Sequence, residues 1–281
     1  MASRAEQKAK ARAERIEYER KLADAARRKQ QLTRLIGVVV AAVVVIVAFI
    51  VISSNNSATA PVKIGSPQQK ADVARVDALL NGIPESGNNT LGKPTAPVQV
   101  TEFGDLECSA CDDFALATNV NTSAGVPGSG VENQLINQYV RTGKVSLVYR
   151  SLDTATGDGA TPSMFPTQQA AALAAGLQGK AWYYIELFYN EQGAEGSTYV
   201  TQSFLDGIAR QVPGLNVSKW QADLSSDSSL TAQVQSDENA ASAADLTQTP
   251  AVVVKGPKGQ VPLPQGVPEW STLQAAINKV S

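Results

Sequence analysis

The sequence predicts an α/β domain with helices inserted in its middle, preceded by a single transmembrane helix. Three observations predict this. β-Prone and helical segments follow one another as β, α, β, a helical block, then β, β, α. Leu35 to Ile52 are eighteen consecutive residues with no polar side-chain atom. The only two cysteines of 281 residues, Cys108 and Cys111, fall where a strand hands over to a helix.

Residues 1–34 carry eleven Lys or Arg and five acids. They are rich in Ala, Glu, Lys and Arg but have no apolar face wide enough for a core, so they read as a charged, partly helical cytoplasmic tail. Basic residues this close to a bilayer are drawn to anionic headgroups. At a rise of ~1.5 Å per residue, the apolar run 35–52 covers about 27 Å, close to the thickness of a hydrocarbon core. The net charge is +6 before it and −8 after it. Arg27, Arg28, Lys29 and Arg34 should stay cytoplasmic, which puts the long C-terminal part outside. A cleaved signal peptide is the competing reading. Its n-region would be unusually long, and its one small-x-small site, Ala58-Thr-Ala60, precedes a proline. An uncleaved anchor fits better.

Residues 53–82 read as a linker with a membrane-proximal helix. Ser, Asn, Thr and Ala dominate up to Ala60, and Val73, Val76, Leu79 and Leu80 then recur at helical spacing. Gly82 to Asn89 break that pattern. The domain proper is expected over 83–281. Val98–Phe103 is a strand ending at the turn Gly104-Asp105, and helical patterning runs from Ser109 to Ala117. A Gly- and Ser-rich patch over 121–130 interrupts. Glu132–Thr142 is a helix and Val145–Tyr149 a strand. The helical insertion spans about 160–247, with helices at Thr167–Leu177, Lys180–Glu191, Tyr199–Val212, Val217–Leu224 and Leu230–Leu246. Trp182 there reads as core. Ala251–Lys255 is a third strand and Val261–Leu263 an edge strand. Trp270, Leu273, Ile277 and Val280 form the stripe of a closing helix.

Zinc can be tested by counting. A structural site needs four Cys or His ligands, and this chain has two cysteines and no histidine. A structural staple is weak on energetic grounds, because a C-x-x-C disulfide closes a very short loop and loop-closure stabilisation grows with length. The redox reading has a mechanism. The attacking species is a thiolate, and a helix N-terminus offers unpaired N–H groups and partial positive charge. Cys108 there is the exposed nucleophile, and Cys111, one turn on, resolves a mixed disulfide. No nucleotide loop, hydrolase triad or nucleic-acid surface appears in the net-acidic outer part.

The stretch Leu91-Gly-Lys-Pro-Thr-Ala-Pro-Val98, then Glu102-Phe-Gly-Asp105, then Cys108-Ser-Ala-Cys111, resembles the start of the catalytic domain of DsbA-type disulfide oxidoreductases, which have a thioredoxin-like fold. The helical block is similar to that family's inserted helical subdomain. The likeness covers roughly 83–281 and is specific around the cysteines. It implies that Cys108 is the nucleophile and Cys111 the resolving thiol. It implies a cis-proline at Pro250 and, at Thr249, a backbone that pairs with an extended substrate. Glu102, six residues before Cys108, matches the family's buried acid. Alternation puts it on one face with Val98 and Val100, where it could relay a proton to Cys111.

One departure matters. Strong oxidases of this family usually have Pro-His between the cysteines, whereas here the pair is Ser109-Ala110. Asp105, Glu107, Asp112 and Asp113 are expected to add negative charge around Cys108, so a mild oxidant is expected. With the apolar span and its basic flank, the resemblance implies an anchored enzyme on the outer face of the cytoplasmic membrane that oxidises reduced or unfolded secreted proteins. A quinone-linked membrane partner of the DsbB or VKOR type would reoxidise it. No organic cofactor or metal is needed, because the dithiol carries the electrons. A reductase or isomerase, or a redox-inactive binding module of the cell envelope, remain open alternatives.

Overall fold

The computed structural model describes residues 63, 65–87, 89–116, 130–155 and 164–281. The charged tail, the apolar run 35–52 and the Ser/Asn tether lie outside them. Among the described residues, no helix is long and apolar enough to cross a membrane.

The chain forms α1 (Pro67–Leu80), β1 (Glu85–Ser86), β2 (Thr90–Leu91), β3 (Val98–Gly104), α2 (Ser109–Ala115), α3 (Val131–Leu135), β4 (Val145–Ser151), α4 (Phe165–Gly176), α5 (Ala181–Asn190), α6 (Gln202–Ala209), α7 (Val217–Ser226), α8 (Ser228–Ala243), β5 (Ala251–Gly256), β6 (Gly259–Pro262) and α9 (Trp270–Val280). The six strands make one sheet in the order β1-β2-β4-β3-β5-β6. β3 is central, parallel to β4 and antiparallel to β5. This is a thioredoxin-like α/β fold, and among the described residues five helices, α4 to α8, lie between β4 and β5.

The sheet is covered on both faces. Val98, Val100 and Glu102 alternate onto the buried face of β3, while Phe103 points the other way into a smaller cluster with Leu152, Ala241 and Ala251. On that second face α8 is pinned to β4 by an Arg150–Asp237 ion pair at 2.7 Å, and the other Asp237 oxygen accepts the Ser151 N–H. The helical block packs around buried aromatics. Trp220 stacks on Tyr184 with ring centroids 5.9 Å apart and donates its indole N–H to the Ala171 carbonyl. Trp182 is fully buried, donates to the Asn89 carbonyl at 2.8 Å and meets Tyr149 edge-on, so it is core. Both indole N–H groups are satisfied, so the two tryptophan rings can be buried whole.

Two expectations need correction. Glu132–Thr142 is not one α-helix: α3 ends at Leu135, and a π-turn follows over Ile136–Val140, closed by the Arg141 N–H donating to the Ile136 carbonyl. The wider turn keeps Ile136 and Val140 in the core. The Gly82–Asn89 break also holds strand β1 and leads into β2, each two residues long and too short to show alternation.

An unusual number of acids are buried in this fold. Glu102, Glu132 and Glu186 are inaccessible or nearly so, and burial pushes all three carboxyl groups up. Burial likewise raises Asp112 to about 8, and Glu85 and Glu107 each to about 7. These groups hold protons more tightly folded than unfolded. Their contribution to stability is therefore complete below the ordinary carboxylate range and is lost as pH rises through the folded values. The melting temperature of the reduced protein should be higher near about pH 5 than near about pH 8, by at least ~5 °C. A scanning-calorimetry series showing no change, or a rise toward alkaline pH, would contradict this burial.

Candidate active site

The register of β3 with β5 assembles the site. Phe103 lies opposite Ala251, so the residues just before β5 fall beside the loop that leaves β3. Those residues are Thr249 and Pro250, joined by a cis peptide bond. The Cys108 Sγ lies 3.7 Å from the Thr249 carbonyl oxygen. The Thr249 hydroxyl is 2.6 Å from that of Thr154, in the loop after β4.

Asp105 locks the two loops together. One of its oxygens accepts the Glu107 N–H at 3.0 Å, and the other accepts Thr154 and Ala155 N–H at 2.9 and 2.8 Å. Gln192 donates to the carbonyls of Leu106 and Cys108, and Gln168 donates to Glu107. Residues 105–108 are thus held by groups from the loop after β4, from α4 and from the end of α5.

Cys108 is the N-cap of α2, with extended backbone at φ −73° and ψ 122°. Its expected exposure is not found. Cys108 is only 7% exposed, because Thr249 covers its sulfur, while Cys111 is fully buried. Both thiols are free. Their surroundings act in opposite directions. A hydrogen bond from Cys111 holds the Cys108 thiol below its ordinary pKa against the effect of burial, and a bond from the Thr249 side chain assists. Burial pushes Cys111 far up, reinforced by its bond to Cys108 and by the charges of Cys108 and Glu102. The pair is built to hold one thiolate on Cys108 and one proton on Cys111.

Glu102 is fully buried on the face of β3 that carries Val98 and Val100, and neither of its oxygens has a hydrogen-bond partner among the described residues. Burial raises it first, then repulsion from Glu186 and from Cys108. Gly104 is required beside it. A Cβ there would sit 2.7 Å from the Tyr149 ring, 3.0 Å from Glu102 Oε1 and 3.1 Å from the Tyr189 hydroxyl.

The expected crowd of negative charge is also corrected. Asp105, Glu107, Asp112 and Asp113 are all buried. Glu107 and Asp112 are raised to about 7 and about 8, so near neutrality Asp112 is largely protonated and Glu107 about half so. Asp105 rises only to about 6, because burial is opposed by the three N–H groups it accepts.

The charge that does face Cys108 comes from Glu195, which the sequence reading missed. Its carboxylate accepts the Ser109 N–H at 2.7 Å and raises the Cys108 pKa. It lies 86 residues further along the chain, in the connection between α5 and α6, and no local motif marks it.

This fold and its paired thiols define a class, the thiol–disulfide oxidoreductases, and the chain is one of them. The chain belongs to the thioredoxin family, whose model matches residues 85–279. It is similar to the probable disulfide bond formation protein D of Bacillus anthracis, at 24% identity over 218 residues that cover 73% of this chain and 87% of that one. The corresponding protein of Bacillus cereus is likewise 24% identical over 216 residues, 72% of this chain and 86% of that one. Among solved structures, oxidised BdbD from Bacillus subtilis shares the fold with a TM-score of 0.53 at 18% identity, over 70% of this chain and 97% of that one. DsbA2 of Pseudomonas aeruginosa does so with a TM-score of 0.51 at 19% identity, over 70% of this chain and 95% of that one.

Glu195→Gln keeps an acceptor for Ser109 and removes the charge. Alkylation of Cys108 by iodoacetamide near about pH 6 should then run about two- to tenfold faster, because a larger fraction is thiolate. An unchanged rate would mean that this carboxylate does not act on Cys108.

Proposed function

We propose that the chain is a membrane-anchored, extracytoplasmic oxidoreductase that forms disulfide bonds in secreted or cell-envelope proteins through Cys108-Ser-Ala-Cys111. The observation that carries this reading is the opposite bias of the two thiols, down at Cys108 and up at Cys111. Starting from the disulfide form, a substrate thiolate attacks the Cys108 sulfur. The Cys108–Cys111 bond breaks, its electron pair goes to the Cys111 sulfur, and that sulfur takes up a proton. A second substrate thiolate attacks the substrate sulfur of the mixed disulfide and releases Cys108 as a thiolate. The substrate leaves oxidised, and the protein holds a thiolate and a thiol.

Glu102 is the proton donor to Cys111 in this reading. Its raised pKa leaves it largely protonated at neutral pH, and it lies close enough to Cys111 for its ionised form to raise the thiol's pKa. Thr249 offers its backbone to an extended substrate beside Pro250. Residues 35–52 are the anchor, and a quinone-linked membrane protein of the DsbB or VKOR type removes the electrons. The relatives' name, disulfide bond formation protein D, supports the oxidising direction.

The oxidant is a mild one. A stabilised thiolate favours the reduced form and makes the disulfide more oxidising. Here no imidazole is present to stabilise the thiolate, and Glu195 opposes it. That carboxylate also favours, as a second reading, a reductase or isomerase.

The reduction potential of the full chain, equilibrated with glutathione buffers and read by alkylation and mass, decides between them. Disulfide donation requires a value between about −120 and −200 mV. A value near about −270 mV would support a reductase, and one below about −300 mV would overturn redox function in favour of a permanent bond. Cys111→Ser should accumulate mixed disulfides with secreted proteins, and Cys108→Ser should accumulate none.

A further inference from the structure

Beneath the site lie two more buried acids that the disulfide chemistry above does not use. Glu132, in the first turn of α3, is fully buried with no hydrogen-bond partner for either oxygen among the described residues. Glu186, on α5, is 1% exposed, and its Oε1 also lacks a partner. Among the described residues no cation pairs with Glu102 or Glu132 and no acid cluster could hold a metal ion, so neither explains their burial.

The three acids lie close enough to act on one another's charge. Beyond the effect of burial, Glu186 raises Glu102, Glu102 raises Glu132, and Glu132 and Asp112 raise Glu186. One of the three borders a cleft. Glu186 lines a cleft of about 270 Å³ with Arg75, Asn133, Asn137, Asn190 and Leu116. Leu116 closes the C-terminal end of α2, whereas Cys108 caps its N-terminal end, about 12 Å away at the helical rise.

This arrangement answers a difficulty of the chemistry. A substrate joined to Cys108 covers the front of the site, and Cys111 is already fully buried. The proton that Cys111 takes up during reduction, and loses during reoxidation, needs another way through.

We propose that Glu132 and Glu186 pass protons between Glu102 and the cleft at the far end of the active-site helix, so that Cys111 exchanges its proton with solvent away from the substrate. The inference rests on the redox pair proposed above and adds two positioning residues to it. When a thiolate attacks Cys108 and the disulfide breaks, the Cys111 sulfur receives the electron pair and takes a proton from Glu102. Glu102 regains one from Glu132 or Glu186, and Glu186 from water in the cleft. No charge is left inside.

The test is reduction of the oxidised full chain by dithiothreitol, followed by stopped flow near about pH 6. Glutamine is nearly isosteric with a protonated glutamic acid, so Glu186→Gln should fold and leave the reduction potential unchanged. Its reduction rate should fall at least about tenfold, with a larger solvent deuterium isotope effect. Glu132→Gln, read the same way, gives an independent test. Wild-type rates and isotope effects in both variants would overturn the relay, as would a rate loss matched by a shifted potential. If the wild-type chain itself is not reduced through Cys108, the redox pair fails instead, and Cys108→Ser identifies that case.

Discussion

The site depends on one constraint, the antiparallel register of β3 with β5. With Phe103 opposite Ala251, the end of the central strand and the turn before its neighbour meet. The strand end delivers Glu102 inward and Cys108 to the cap of α2. The turn delivers the Thr249 carbonyl to the Cys108 sulfur. A slip of one residue would reverse the face of Glu102 and part Thr249 from the thiol. The Asp105 carboxylate then fixes the loop after β4 onto the same point through three N–H groups.

The two sulfurs are therefore one helical turn apart in different surroundings. Cys108 sits at the rim, where it receives hydrogen bonds, and Cys111 sits in the core among groups that repel negative charge. The same low-dielectric interior keeps Glu102, Glu132 and Glu186 protonated rather than charged. Burial without cationic partners among the described residues favours the neutral form of these acids. Glu195, at the rim, is a carboxylate whose charge raises the Cys108 pKa.

Much of this was legible in the sequence. The strand-to-helix junction at Cys108, the proline before an apolar strand and the two-residue alternation that turns Glu102 inward are all local patterns. So was most of the helical order, including the aromatic-rich run that became α5. What could not be read depends on distant contacts. Glu195 reaches Ser109 across 86 residues, and Gln192 and Gln168 reach the cysteine loop from separate elements. The acids around the cysteines looked like charge because composition does not reveal burial. Asp112 and Glu107 are shifted toward their neutral forms by packing that only the assembled helices supply. The two-residue strands β1 and β2 are too short to carry a period.

The most direct test of this account is the pH dependence of alkylation at each cysteine in the reduced protein, resolved by peptide mass. The account predicts two separate titrations. Cys108 should react as a thiol with a pKa below the ordinary 9.0, and Cys111 should stay protonated and unreactive well above it. Two coincident curves near the ordinary value would contradict the account, because the register, the buried acids and the hydrogen bond between the thiols would then do nothing to tell the sulfurs apart.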